Sequence, residues 1–375
     1  MKNLFYSLVL GCIGAVSVAT ASAQTFTEWQ DLSVNQVNRL PMHTSYFAYP
    51  SQKEALKGER SASSAYLSLN GTWKFNWVKE VAMRPTDFYR TDYNDRGWDA
   101  MSVPGMWELN GYGDPLYVNW NYAWKGSFKN NPPFVPEENN HVGSYRKEIT
   151  LPAAWKGRQI IAHFGSVTSN MYLWVNGKYV GYSEDSKLEA EFDLTPYLKP
   201  GKNLIAFQVF RWCDGSYLED QDFFRLSGVA RDCYLYTRNK SARLEDIRVT
   251  PDLDENYQHG SLAVNLSLKG KAKVDLQLLD EQGKQVMFVS DTNDGQTLNV
   301  DAPRKWSAEL PYLYTLLATV KEGNRTVEVI PLKVGFRKVE LRGSQVLVME
   351  SRSCSKVRID MKWIPMAGIW FLVSV

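Results

Sequence analysis

The chain has 375 residues, a formal net charge of +2, and acids and bases interspersed along its length. That balance leaves no basic field for nucleic acid, and the length allows two or three domains of the usual ~100–200 residues. Aromatic residues make up 13%, with 13 Trp and 20 Tyr, a supply that serves core packing and equally the stacking of flat sugar faces.

Lys2, the apolar run Leu4 to Val18 and the small-residue pattern Ala21-Ser22-Ala23 have the form of a cleavable export signal over residues 1–23. A periplasmic or secreted protein is expected. The run is too short for a comfortable membrane span, and no later segment reads as transmembrane. Lipidation at Cys12 is the alternative, weakened because the apolar run continues past it. Residues 24–65 read as an irregular arm with Pro41 and Pro50.

From Tyr66 onward short runs alternate apolar and polar residues, as strands with one buried face do. Examples are Thr72 to Trp77, Gln159 to Phe164, Met171 to Val175 and Leu204 to Val209. Asn70-Gly71, Asn176-Gly177, Pro200-Gly201 and Asp214-Gly215 are turn signals between runs. Almost nothing holds a helical period. The pattern predicts an all-β protein: a jelly-roll β-sandwich over 66–240, then an immunoglobulin-like β-sandwich over 241–337. The second unit alternates strictly at Leu262 to Leu268 and Val274 to Leu279 and turns at Gln282-Gly283. Cys213 and Cys233 sit in apolar runs and are expected to be free buried thiols, with a disulfide as the alternative. The histidines are scattered and there is no Cys-x-x-Cys, so no metal site is built by local sequence.

Three segments carry chemistry. Arg211 to Asp222 packs four carboxylates, two aromatics and a glycine into twelve positions, which reads as an ordered loop leaving a strand. Its Asp214, Glu219, Asp220 and Asp222 are expected to pair with Arg211, Arg225 and Arg231 and to bind loop amides; Ca²⁺ is the alternative. The second is Gly181-Tyr182-Ser183-Glu184-Asp185-Ser186, whose bland reading is a solvated acidic loop. The third is Leu116-Tyr117-Val118-Asn119, where Asn119 alone reads as a turn residue.

These runs, with Asn131-Pro132-Pro133-Phe134-Val135-Pro136 and the arm segment Asn38-Arg39-Leu40-Pro41-Met42-His43, resemble the N-terminal sugar-binding sandwich of the β-galactosidases of glycoside hydrolase family 2. The resemblance runs from about Trp29 to about Val348. It implies that Asp185 reaches into the active site of a neighbouring barrel, contacts galactose and helps hold a sodium ion when that barrel is present. It implies that Asn119 contacts the sugar. Sodium and magnesium are expected in the complete enzyme and no cofactor in this chain. The expected partner is a galactoside, with a homo-oligomer as an option for the complete enzyme.

Retaining hydrolysis in this family uses two glutamates on a (β/α)₈ barrel, and a barrel needs roughly 250 residues. Too few follow Val334, so no catalytic residue is assigned. Residues 338–375 read as the start of a barrel that turns out of frame from about Met349. Back-translated with synonymous codons and read one base earlier, the stretch Asp360 to Gly368 resembles the family's first barrel segment. The expectation is the N-terminal part of a β-galactosidase, inactive alone. The alternatives are a non-catalytic carbohydrate-binding sandwich, with Trp120, Tyr122 and Trp124 as a stacking face, and a sandwich from a glucuronidase or mannosidase of the same family.

Overall fold

In the structure, a computed structural model that describes residues 26–118, 122–124, 126–129, 132–219, 222–349, 351–352, 359–364 and 369–374, the Asn176-Gly177 signal forms a tight hairpin. Both residues take left-handed backbone, with φ of 50° and 82°, as a two-residue turn matched to strand twist requires. The hairpin joins Met171–Val175 to Lys178–Ser183. The Asp214-Gly215 signal behaves differently. It opens the 3₁₀ turn Asp214–Tyr217 inside the acidic loop and connects no hairpin.

The first sandwich packs a seven-stranded antiparallel sheet on a four-stranded one. The larger sheet runs in the order Gln36–Val37, Lys178–Ser183, Met171–Val175, Lys202–Phe210, Val142–Thr150, Gly71–Val78, Asp99–Val103. The smaller runs Ala190–Asp193, Gln159–Phe164, Cys233–Arg238, Tyr66–Ser68. Alternation explains the core. Trp73 and Phe75 point inward while Thr72 and Lys74 are exposed. Tyr145 and Phe207 stand opposite each other in register, their rings stacked at 4.3 Å.

Met171–Val175 is buried throughout, because the larger sheet is covered on both faces. Met171, Leu173 and Val175 join the sandwich core. Tyr172 and Trp174 join a second cluster with Trp29, Val81, Phe88 and Phe210. A strand covered on both sides reads as a continuous apolar run.

The second sandwich packs Arg243–Leu253, Gly260–Lys269 and Gln296–Val300 against Gln285–Val289, Ala272–Leu279, Tyr314–Glu322 and Arg325–Val334. Leu262, Val264, Leu276, Leu278, Leu316 and Val320 fill it. The hairpin Val339–Arg342 with Gln345–Val348 follows, extended by Ser351–Arg352. Ile359–Ile364 and Ile369–Ser374 form a two-stranded ladder of their own.

The arm ties the two sandwiches together. It carries the one α-helix among the described residues, Gln52–Lys57, which starts on a Ser51 cap and ends at Gly58 with φ of 69°. Thr44 N–H donates to Asp246 at 2.8 Å, the Tyr46 hydroxyl lies 2.9 Å from the Leu244 and Glu245 carbonyls, and Tyr49 bridges Val329. Beside it Arg238 of the first sandwich meets Glu328 of the second at 2.6 Å, both side chains 3% exposed.

Candidate functional site

Strand Lys178–Ser183 delivers Tyr182 into the buried cluster. Continued one step further, the two-residue period puts Glu184 on the side of Tyr182, and the Tyr182 hydroxyl donates to Glu184 Oε1 at 2.5 Å. Glu184 thus turns inward, against the solvated-loop reading. Its carboxyl meets Asp214 of the acidic loop. The room comes from Gly215, where an added Cβ would sit 3.0 Å from Glu184 Oε2. Burial first, and Asp214 second, push the Glu184 carboxyl up to about 9. Asp214 is also raised, chiefly by burial. Two buried acids this close hold a proton between them.

On the other side of Asp185, Ser186 is fully buried. Its N–H donates to Glu219 Oε1 at 2.9 Å and its hydroxyl to Glu219 Oε2, while its carbonyl accepts from Ser166 Oγ at 2.6 Å. Residues 184 and 186 are therefore both tied to the acidic loop. Asp185 between them adopts φ of 73°, a left-handed conformation that aspartate tolerates better than most residues. Its side chain is 41% exposed, and Oδ2 accepts from Arg39 Nη1 at 3.0 Å.

The acidic loop is ordered, and Asp214 and Glu219 take loop amides as expected, from Gly215 N–H at 3.0 Å and Ser186 N–H at 2.9 Å, while Asp214, Glu219 and Asp222 do not pair with Arg211, Arg225 or Arg231. Asp214 faces Glu184, Glu219 binds Ser186, and Asp222 accepts from the Tyr117 hydroxyl. Each arginine also holds a carbonyl. Arg225 donates to Glu219 O at 2.8 Å, Arg231 to Lys187 O at 2.7 Å and Arg211 to Asp114 O at 3.1 Å. A backbone oxygen fixed in a loop also accepts from a guanidinium, and the spacing in sequence did not distinguish the two kinds of acceptor. Asp220 lies outside the described residues.

Asn119 also lies outside them. The strand leading to it, Leu116–Val118, pairs with Phe223–Arg225 at the exit of the acidic loop. Trp120 lies outside as well, and Trp124 is not an open stacking face. It is 4% exposed, lies parallel to Tyr122 at 5.4 Å and meets Trp212 and Tyr217 edge-on. Cys213 and Cys233 are free and buried, and burial pushes the Cys233 thiol up to about 12.

A cation fits these residues poorly. Asp185 offers one carboxylate oxygen beyond the Arg39 contact, where a hard cation takes six or more oxygens. Glu184, Cys213 and Asp214 bring ligand atoms within 4.8 Å of one another, but a protonated acid pair beside a thiol held well above its usual range is a weak donor set.

A second polar cluster lies seven residues along. Glu191 accepts from His163 Nδ1 at 2.9 Å, from the Tyr236 hydroxyl at 2.8 Å and from His43 Nε2 at 3.2 Å. His43 Nδ1 lies 2.7 Å from the Thr44 carbonyl, so both imidazole nitrogens face acceptors. The hydrogen bond to Glu191 holds His43 above the usual imidazole range. Burial alone would raise Glu191; the two imidazoles reverse it and hold the carboxyl at about 2.

The residues that sequence reasoning left without a role are thus Arg39, Glu184 and Ser186. Continued alternation past Tyr182 signals Glu184. Arg39 lies 146 residues from Asp185, and nothing local signals the pair.

Residues 66–239 match the sugar binding domain of glycosyl hydrolases family 2, and residues 242–337 match a second domain of glycosyl hydrolases family 2. The chain is 42% identical over 321 residues to a β-galactosidase of Halalkalibacterium halodurans, covering 83% of this chain and 31% of that protein. It is 37% identical over 351 residues to a β-galactosidase of Priestia megaterium, covering 89% and 34%. The chain thus spans about a third of the length of these curated relatives. A β-glucuronidase of Ruminococcus gnavus superposes with a TM-score of 0.61 at 20% identity, over 76% of this chain and 46% of that one, which shows the fold alone. Two successive matching domains over one unbroken stretch, on the two sandwiches seen in the structure, place this chain in glycosyl hydrolase family 2.

Proposed function

We propose that this chain supplies the sugar-binding and immunoglobulin-like sandwiches of a β-galactosidase, and that Asp185 is the side chain it lends to a galactoside site completed by a catalytic barrel. The observation that carries this reading is the contrast within one loop. The Glu184 side chain turns inward to the Tyr182 hydroxyl and Ser186 is buried and anchored, while Asp185 between them is fixed in a left-handed backbone and keeps its carboxylate at the surface. A carboxylate held this way accepts hydrogen bonds from vicinal sugar hydroxyls without reorganising. Asn119, which follows Leu116–Val118 in sequence, is proposed as a second sugar contact.

The described residues hold no barrel, and the chain alone is expected not to hydrolyse a galactoside. Sodium and magnesium belong, on this proposal, to the completed site. The leader pattern around Lys2 and Ala21-Ser22-Ala23 supports export to the periplasm or beyond.

The test is complementation. The chain is mixed with a separately expressed barrel region of the Priestia megaterium relative, and hydrolysis of a chromogenic β-galactoside is followed. The chain alone should be silent and the mixture active. Asp185→Ala in the active mixture should cost about 2–4 kcal/mol of transition-state stabilisation, on the order of a hundredfold in rate. Turnover by the purified chain alone would refute the division of labour. Full turnover with Asp185→Ala would remove Asp185 from the site.

A further inference from the structure

We propose that Arg39 is a positioning residue: it reaches from the N-terminal arm to fix the direction of the Asp185 carboxylate, and so acts on the galactoside through Asp185. This rests on the reading of Asp185 as a sugar contact. The backbone of Asp185 is set by its anchored neighbours, but those anchors leave the side-chain torsions free. Among the described residues the contact that settles them is Arg39, whose Nη1 lies 3.0 Å from Asp185 Oδ2. The same nitrogen is 3.0 Å from Ser183 Oγ and 3.2 Å from the Glu184 carbonyl. One nitrogen therefore addresses three consecutive residues of the loop.

Arg39 is itself held. Its side chain is 8% exposed, and its Nε donates to Gln36 Oε1 at 2.8 Å. The arm around it is stitched to the loop's strand. Gln36 pairs with Ser183 and Val37 with Tyr182; Glu184 N–H donates to the Asn35 carbonyl at 3.1 Å; Asn38 Nδ2 donates to the Val180 carbonyl at 2.8 Å. A nearly buried guanidinium with a fixed fork is suited to hold one carboxylate oxygen and leave the other outward, which a flexible ammonium does less well. The arm is thus part of the site, although it lies far from it in sequence and holds no residue expected to touch substrate.

Two experiments test this. The first uses the chain alone and does not depend on its activity: hydrogen exchange across Ser183–Leu188 in the native chain, Arg39→Ala and Arg39→Lys. Arg39→Ala should speed exchange there by about tenfold or more, Arg39→Lys by less, and protected amides of Leu204–Phe210 should not change. Unaltered exchange in Arg39→Ala overturns the proposal. The second is a double-mutant cycle in the complemented galactosidase. Arg39→Ala should lower kcat/KM on the order of tenfold to a hundredfold, with Arg39→Lys recovering part. In the Asp185→Ala background the same change should cost less than about twofold, because the group it orients is gone. Equal losses in both backgrounds would mean a merely structural arginine and overturn the proposal. If Asp185→Ala itself leaves kcat/KM intact, the sugar-contact reading fails, and the proposal falls with it even where the exchange result shows Arg39 ordering the loop.

Discussion

Glu184 and Glu191 are inward-turned glutamates, seven residues apart on neighbouring elements, and they are driven in opposite directions. Glu191 faces two imidazoles and a phenol and is held at about 2. Glu184 faces a second acid and is pushed to about 9. Burial acts alike on the two; the partner decides the sign. The satisfied acid sits where the arm meets the sandwich. The frustrated acid sits beside Asp185, where a rigid loop matters more than a stable one.

The sharpest way to break this contrast is to remove the satisfied acid. Glu191→Ala leaves three donors without an acceptor and should cost about 2–4 kcal/mol in urea unfolding. A loss below about 1 kcal/mol would mean that the network is ornamental.

Glu184→Gln should do the reverse. A carboxyl whose folded pKa is raised contributes stability that is present below the unfolded value near 4.3 and is lost as pH rises toward 9. The amide carries no such penalty. The variant should therefore gain about 1–3 kcal/mol over the native chain at pH 8 and almost nothing at pH 4.5. A pH-independent difference would show that Glu184 and Asp214 do not share a proton.

A smaller effect belongs to His43. Its pKa is raised by Glu191, opposed by burial and by Arg238, with His163, Tyr236, Asp246 and Tyr46 completing its surroundings. The stability it confers is full below about 6.5 and fades as pH rises through its folded value. Thermal melts of the native chain should lose about 0.5–1 kcal/mol across that window, and His43→Gln should flatten the slope.

The smallest expected effect is the most telling for function. Asp185→Ala removes a half-exposed partner of Arg39 and should shift stability by only ~0–1 kcal/mol, while its kinetic cost in the complemented enzyme is large. Proportionate losses in both would make Asp185 a structural residue.

Much of the architecture was legible in the order of residues. Alternation from Thr72 to Trp77 and from Val274 to Leu279, with Asn176-Gly177 and Gln282-Gly283 between strands, was enough for two all-β sandwiches. The site was less legible, for a physical reason. Asp185 was singled out through its motif, but the environment of its loop is made by Arg39, Asp214 and Glu219, brought in across 146-, 30- and 33-residue separations. Local chemistry cannot rank carbonyls against carboxylates as partners for Arg211 and Arg231. Trp124 shows the same limit, since an aromatic cluster looks alike in sequence whether it faces sugar or core.

The two-residue strand Gln36–Val37 has a role beyond the arm's hold on the loop. It covers Lys178–Ser183, the strand that would otherwise end the seven-stranded sheet. An open edge is a template for another chain. The arm is therefore also a seal: loss of the segment that carries Gln36–Val37 would leave the backbone edge of Lys178–Ser183, directly beside the Asp185 loop, open to pairing with another chain.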